Sequence, residues 1–205
     1  MSLKFRDIVN QKIIDDISLI KGKFRLNRPF KHVVIDNFLK ENMAKELLNE
    51  IKREKFIEKE SDLFSFKQTD DLYYSRNRRV KEFHSAMCSS EFFSFISFIS
   101  GFKFKGVFDM AGTLYESGDY LLCHDDELEG RKIAYVLYFS ENFNEEDGGN
   151  FTLFDSKNGK PFRAFKKYVP LFNRLLIFEV SKRSFHEVEE NLSDKKRYAV
   201  GGWLH

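Results

Sequence analysis

Six short runs rich in β-branched and aromatic residues follow one another after Gly101, and their spacing constrains the fold more than any other feature of the chain. They are Val107–Glu116, Arg131–Phe139, Asn150–Phe154, Phe162–Val169, Arg174–Val180 and Tyr198–Leu204. Between them stand Gly118-Asp119, Asp147-Gly148-Gly149, Asn158-Gly159 and Val169-Pro170, all of which favour turns. Many short strands at such intervals pack as a closed barrel or a double sheet, because closure removes exposed strand edges. A jelly roll is the expectation for residues 102–205.

The first 101 residues have a different texture. Phe5, Ile8, Val9, Ile13, Ile17 and Ile20 recur every three or four residues, which predicts an amphipathic helix. Asn27-Arg28-Pro29 breaks it, His32–Ile35 reads as a short strand, and Met43, Ala44, Leu47, Leu48 and Ile51 mark a second helix. From about Glu58 to Arg79 the chain reads as polar and irregular, and Phe64–Arg79 is a candidate lid or groove wall. Ser90 with Glu91 opens a third, Phe-rich helix that ends at Gly101. No linker divides the chain, and 42% hydrophobic residues can fill one core. The expected fold class is α+β: a double-stranded β-helix (jelly roll) core with the N-terminal helices packed on one face. A single domain spans residues 1–205, with 1–101 as mainly helical support.

Charge excludes some functions. The 34 basic residues nearly balance 32 acidic ones, for a net charge of +2. The densest basic runs, Arg76–Lys81 and Lys166-Lys167, read as solvated surface, and direct nucleic-acid binding is not expected. No apolar stretch approaches the roughly 18–20 residues of a membrane span. The N-terminal MSLKFRDIVNQ carries charges where a signal peptide would be apolar, so the expected location is the cytoplasm, with the nucleus open in a eukaryote. Cys88 and Cys123 read as reduced thiols.

Chemistry concentrates in the β region. His124-Asp125-Asp126 is followed about sixty residues later by His186. Two histidines and one carboxylate on one face of a metal leave three open positions, the arrangement of non-haem iron(II) oxygenases. At the end of an extended strand, residues 124 and 126 point to the same side, which favours Asp126 over Asp125 as a ligand. Taken alone this pattern is weak, since such tripeptides arise by chance. Arg197, eleven residues after His186, adds to it. A guanidinium grips a carboxylate in bidentate fashion, and a hairpin after His186 would set Arg197 beside the metal. Tyr115 and Tyr138 flank the metal segment and can donate hydroxyls to the same carboxylate. Read singly, the tyrosines are equally strand packing and Arg197 a surface residue.

The segment Cys123-His124-Asp125-Asp126-Glu127-Leu128-Glu129-Gly130-Arg131-Lys132-Ile133-Ala134, continuing to Leu137-Tyr138, closely resembles the ribosomal prolyl hydroxylases. These are 2-oxoglutarate oxygenases that hydroxylate a proline of a small-subunit decoding-centre protein. Phe66–Leu72, Asp147-Gly148-Gly149, Asn173–Ser181, Ser184–Val188 and Gly202–His205 resemble the same family, and a more distant likeness links the chain to the oxygen-sensing prolyl hydroxylases. The resemblance runs from about residue 30 to the end. It implies His124, Asp126 and His186 as iron ligands, and Arg197 as the cation for the distal carboxylate of 2-oxoglutarate, helped by Tyr115 and Tyr138. Fe(II), 2-oxoglutarate and dioxygen are the implied cofactor and co-substrates, with ascorbate as a stimulant. The implied partner is a protein substrate carrying the target proline, a ribosomal protein. Asp125, Glu127, Glu129 and Arg131 match as well, either ordering the loop at the pocket mouth or touching substrate. Eukaryotic members carry a second, catalytically silent jelly roll that these 205 residues do not include, which leaves substrate recognition open. Two other readings stand beside this one: an oxygenase acting on another peptide residue or a small metabolite, and a silent jelly-roll module that binds a partner protein.

Overall fold

The computed structural model describes residues 3–104 and 109–205. Three short helices lead in, α1 (Phe5–Ile8), α2 (Gln11–Asp15) and α3 (Ile17–Leu26), followed by β1 (His32–Ile35) and α4 (Glu41–Ile51). A hairpin of β2 (Ile57–Ser61) and β3 (Phe64–Asp71) precedes α5 (Arg78–Met87) and α6 (Ser90–Ser100). The remaining strands are β4 (Ala111–Tyr115), β5 (Tyr120–His124), β6 (Ile133–Tyr138), β7 (Phe151–Lys157), β8 (Lys160–Tyr168), β9 (Arg174–Glu179), β10 (His186–Val188) and β11 (Arg197–Leu204).

All strand pairs are antiparallel, in the order β1-β9-β6-β11-β4-β3-β5-β10-β7-β8, with β2 paired to β3. The curl is made by β3. Its Lys67 and Gln68 pair with β4, whereas Phe64 and Ser65 pair with β5. The two ends of the sheet thus face one another, and Phe178 of β9 meets Phe151 of β7 at 5.7 Å between ring centres. This is the predicted jelly roll.

Period-two alternation sorts the central strands between two cores. Ile133, Tyr135 and Leu137 of β6 and Leu175 and Ile177 of β9 face the helices. Ala134 and Tyr138 of β6, Leu176 and Phe178 of β9 and Ala199 of β11 face the inside of the curl. Strands covered on both sides read as continuous apolar runs, which is why β6 and β9 stand out in the sequence. The helical layer buries Phe5, Phe24, Leu47, Phe83, Phe92 and Ile96 against the first face. Each such side chain contributes roughly 1.5–3 kcal/mol. Helix α6 begins where Ser89 Oγ accepts from the Phe92 amide at 3.3 Å and ends at Gly101 in the left-handed region.

The structure departs from the sequence expectations in three places, while the charges of the Arg76–Lys81 run lie at the surface as expected. The Glu58–Arg79 stretch is not irregular: it holds the β2–β3 hairpin, a single 3-10 turn at Leu72–Tyr74 and the start of α5. Every residue of β2 is exposed, so backbone pairing sustains it without an apolar pattern. The Arg76–Lys81 run is largely the first turn of α5, capped by Asn77 Oδ1, which accepts from the Arg79 amide at 2.9 Å. Its charges are matched locally, with Arg78 on Glu82 at 2.9 Å and Arg79 on Glu46 at 2.6 Å. The first amphipathic stretch is three helices rather than one, because the Asn10 amide donates to Phe38 O and Val9 bridges to Leu39. The third difference is two strands that the run pattern does not list, β5 and the three-residue β10. Val107, where the first predicted strand begins, lies outside the described residues; the described part starts at Ala111.

Asn173 joins the N-terminal layer to the sheet. It is buried, sits at φ 61°, donates its amide to Tyr138 O at 2.8 Å and accepts from the Phe38 amide at 3.0 Å. Its side chain makes two further 2.8 Å hydrogen bonds to the backbone of Leu39. Asn173→Ala should lower unfolding free energy by about 2–4 kcal/mol, because two buried backbone groups lose their partners. Asn173→Gly, which relieves the positive φ, should lose less. Equal urea midpoints for wild type and Asn173→Ala would show that this staple contributes nothing.

Candidate active site

His124 closes β5 and His186 opens β10, and the two are directly paired across the strands. Two residues of β10 span three of β5 between His186↔His124 and Val188↔Leu121, so β5 carries a bulge. Leu121 and His124 consequently both line the central cavity. His186 is buried, with Phe151 stacked on it at 4.8 Å and Phe178 edge-on at 4.7 Å. Each imidazole is oriented by a backbone carbonyl two residues earlier: His124 Nδ1 lies 2.8 Å from Leu122 O, and His186 Nδ1 lies 2.7 Å from Ser184 O. A carbonyl only accepts, so each Nδ1 carries a hydrogen and each Nε2 offers its lone pair.

Those lone pairs converge on Asp126. Its Oδ1 is 3.4 Å from His124 Nε2 and its Oδ2 is 3.5 Å from His186 Nε2. One ligand atom from each residue falls within 4.8 Å of the others, a spacing that can hold a metal ion. The route to this geometry differs from the expected extended strand end. Strand β5 stops at His124, and Asp126 has φ 62°, a left-handed conformation that aspartate tolerates better than most residues. Asp125 Oδ1 accepts from the Glu127 amide at 3.0 Å, and Ser184 Oγ donates to Asp125 O at 2.8 Å. The turn is thereby tied to the segment that presents His186.

Electrostatics suit a cation. Burial raises the Asp126 carboxyl, but hydrogen bonding to His124 and the charges of both histidines outweigh it and hold the group at about 2. Burial and the neighbouring His124 push His186 down to about 4. His124 is lowered by burial yet ends above its ordinary value, because Asp126 favours its protonated form. At neutral pH Asp126 is an anionic carboxylate and His186 is neutral, while Asp126 makes His124 easier to protonate than a free imidazole, so a metal ion and a proton compete for its Nε2.

Arg197 arrives by another path than a hairpin. Strand β10 pairs with β5 and β7, whereas β11 pairs with β4 and β6, so Arg197 reaches across from the opposite side of the curl. It is only 1% exposed. Its Nε donates to Gly149 O at 2.8 Å, and its guanidinium lies 4.7 Å from the Tyr115 ring centre and 5.1 Å from that of Tyr138. Nη2 has no hydrogen-bond partner, and no carboxylate pairs with Arg197 among the described residues. Gly149 makes the approach possible: at φ 62°, a Cβ there would stand 3.1 Å from Arg197 Cδ. Tyr115 lines the cavity with Phe66 stacked on it at 5.2 Å. Tyr138 packs behind the guanidinium, and its buried hydroxyl lacks a well-formed hydrogen bond. Burial raises both phenols, Tyr138 to about 12, so both keep their protons at neutral pH.

The cavity, about 280 Å³, contains Arg197 and Tyr115, the His124–Asp126–His186 group, and Trp203 with Asp109. A buried guanidinium without an anion costs several kcal/mol, so the donor set fits a metal ion together with an anionic ligand. Trp203, Phe66 and Gly149 carry no role in the sequence reading. Trp203 was legible by parity, since Arg197, Ala199, Gly201 and Trp203 share one face of β11. The Arg131 guanidinium stacks on the Trp203 indole at 3.4 Å. Arg131 also approaches Asp126 O at 3.4 Å, which gives that loop residue a structural place.

A single divalent ion, titrated as Co(II), should bind here, and Asp126→Ala should weaken it roughly 100-fold or more without unfolding the chain. Affinity should rise with pH until His124 is neutral and then level off, whereas His186 should not compete above about pH 5. Binding that is flat between pH 5 and 8, or unchanged in Asp126→Ala, would remove this group as the metal site.

Residues 110–205 match the family described as the 2OG-Fe(II) oxygenase superfamily. The chain is 38% identical over 184 residues to the prolyl 3-hydroxylase OGFOD1 of Mus musculus, covering 86% of this chain and 33% of that protein. It is 30% identical over 195 residues to the prolyl 3,4-dihydroxylase OGFOD1 of Ostreococcus tauri, covering 86% of this chain and 38% of that one. The chain therefore spans about a third of the length of these curated relatives. Among solved structures, a prolyl hydroxylase from Trichoplax adhaerens, in complex with a hypoxia-inducible-factor peptide fragment, superposes with a TM-score of 0.74. It is 21% identical and covers 95% of this chain and 92% of that one, which shows a common fold. The match to the 2OG-Fe(II) oxygenase superfamily starts just before β4 and runs through β11, so the part of the chain that is similar to that family takes in both histidines, Asp126, Arg197 and both tyrosines.

Proposed function

We propose that this chain is a 2-oxoglutarate-dependent dioxygenase that hydroxylates a prolyl residue of a protein. In this reading His124, Asp126 and His186 hold iron(II), and Arg197 receives the distal carboxylate of 2-oxoglutarate. The observation that carries it is the buried Arg197 guanidinium, free at Nη2, on the same 280 Å³ cavity as the three converging ligands. A silent binding module has no use for a buried guanidinium without a carboxylate partner, whose desolvation costs several kcal/mol.

Iron(II), with 2-oxoglutarate and dioxygen, supplies the oxidising power for C–H hydroxylation while 2-oxoglutarate becomes succinate and carbon dioxide. The protein supplies placement. Leu122 and Ser184 carbonyls aim the two imidazoles, and Phe151 and Phe178 immobilise His186 and keep water from it. Tyr115 and Tyr138 keep their hydroxyl protons, offering neutral donors beside the guanidinium. Trp203 and Asp109 line the same cavity, with Arg131 stacked on the Trp203 ring, and in this reading the two lining residues meet the substrate. The prolyl substrate rests on the names of the curated relatives, which are prolyl 3-hydroxylases and a prolyl 3,4-dihydroxylase. The carrier of that proline is proposed to be a small-subunit ribosomal protein, on the resemblance of Cys123–Ala134 and the segments that accompany it.

Purified chain with iron(II) and 2-oxoglutarate should release succinate faster when a proline-containing peptide from a decoding-centre ribosomal protein is present, and the peptide should gain one oxygen atom. Arg197→Ala should raise the KM for 2-oxoglutarate about 10- to 100-fold with Co(II) affinity near wild type, since it removes a charge-assisted bidentate grip and no metal ligand. Turnover that the peptide leaves unchanged would discard the prolyl substrate and keep the oxygenase. If Arg197→Ala behaved as wild type, the assignment of the co-substrate cation would fall.

A further inference from the structure

The β7–β8 hairpin ends the sheet, and every residue of β8 from Lys160 to Lys167 is exposed. Its register contains two irregularities. Pairing passes from Leu153↔Lys166 to Phe154↔Ala164, and again from Asp155↔Arg163 to Ser156↔Pro161. Strand β8 therefore carries one extra residue at each place, Phe165 and Phe162, and both are well exposed, at 46% and 58%.

These bulges reset the parity of the strand. Lys166, Arg163 and Lys160 stand opposite Leu153, Asp155 and Lys157, which are alternate residues of β7 and share one face. Four cations, Lys157, Lys160, Arg163 and Lys166, thus lie on a single face, and successive rungs are about 7 Å apart. In a regular strand, residues three apart would point to opposite sides. Side-chain contacts agree with this assignment. Arg163 Nε reaches Asp155 Oδ2 at 2.9 Å across the rung, and Lys166 Nζ stands 5.2 Å over the Tyr168 ring. Lys157 Nζ stands 5.2 Å over Phe162, which puts that ring among the cations. Asp155 is the one carboxylate in the row, and Lys157, Lys160 and Lys166 make no ion pair among the described residues. Lys167 belongs to the other face, paired to Glu189 at 2.6 Å.

A near-neutral total charge conceals this local concentration. Evenly spaced cations with an exposed aromatic ring match the two elements of single-strand recognition, phosphate neutralisation and base stacking. The outer edge of β8 does not suit an added peptide strand, because two bulges interrupt it and Pro161 lacks an N–H. We propose that this face of the β7–β8 hairpin binds single-stranded nucleic acid, with phosphates on Lys157, Lys160, Arg163 and Lys166 and a base on Phe162. The proposal is independent of the reaction assigned to the cavity.

The test is fluorescence anisotropy of a labelled oligouridylate titrated with the full chain. Binding should be seen at about 50 mM salt, with log K falling against log salt at a slope of about −2 to −3, as expected for three or four phosphates of a single strand. The pair Lys160→Glu and Lys166→Glu should weaken binding more than tenfold. Phe162→Ala should weaken it about fivefold or more with the salt slope unchanged. All three positions are exposed, so melting temperature and 2-oxoglutarate turnover should stay at wild-type values. Absence of binding at low salt, or equal affinity of the charge-reversed chain, would overturn the proposal. Equal affinity for a duplex of the same length would overturn the single-strand assignment. Binding of poly-glutamate in place of RNA, lost in the same variants, would assign the face to an acidic protein instead.

Discussion

The contact between Phe178 on β9 and His186 on β10 holds together what the curled sheet would otherwise leave apart. It spans the inside of the jelly roll, 4.7 Å between ring centres, and Phe151 closes on the other face of the same imidazole. Backbone pairing joins the two sides of the sheet along β3, the strand that passes from β4 to β5, and this three-ring packing adds to the contacts that close the curl, among them Arg197 Nε on Gly149 O at 2.8 Å and His32 on the Tyr168 hydroxyl at 2.7 Å. With these contacts, Arg197 on one side and the histidines on the other are held over a common cavity. The apolar core and the polar site are thus one construction: the same imidazole packs against core rings and turns its Nε2 toward Asp126.

Much of this was legible in the sequence, for reasons that can be traced to particular residues. The apolar runs of β6 and β9 are plain because both faces of those strands are covered. His124, Asp126 and His186 could be picked out by residue type. The way Asp126 gets there could not, since a left-handed aspartate after a strand end leaves no mark in an extended-strand pattern. The approach of Arg197 was misread for a related cause. Chain proximity suggests a hairpin, whereas a jelly roll sends consecutive strands to opposite sides. The β2–β3 hairpin was hidden because β2 is exposed throughout and its pairing is backbone pairing. The Arg76–Lys81 run is the charged surface that its composition suggests, with Glu46 and Glu82 beside it.

Charge within the cavity is arranged as two separate imbalances. Asp126 is an anion with two imidazoles at 3.4 and 3.5 Å and the Arg131 guanidinium at 4.0 Å, and Arg197 is a cation with aromatic faces for company and no carboxylate partner among the described residues. They do not cancel one another, because each is enclosed by its own neighbours. Aromatic walls of this kind stabilise a guanidinium while leaving its outer N–H groups free to donate. That is a preorganised receptor, whose unfavourable burial is offset by the rest of the fold and recovered when ligands arrive.

The direct pairing of His124 with His186 has a mechanical meaning beyond ligation. Strand β10 is three residues long, so few hydrogen bonds resist a shift of register against β5 and β7. A slip of one residue would turn His186 out of the cavity and bring Glu187 in, since side chains alternate along a strand. An ion shared by both imidazoles binds only the correct alignment and stabilises it by mass action. Cargo and clasp then coincide: the shortest strand of the sheet becomes the one whose misalignment is penalised most heavily whenever metal is present.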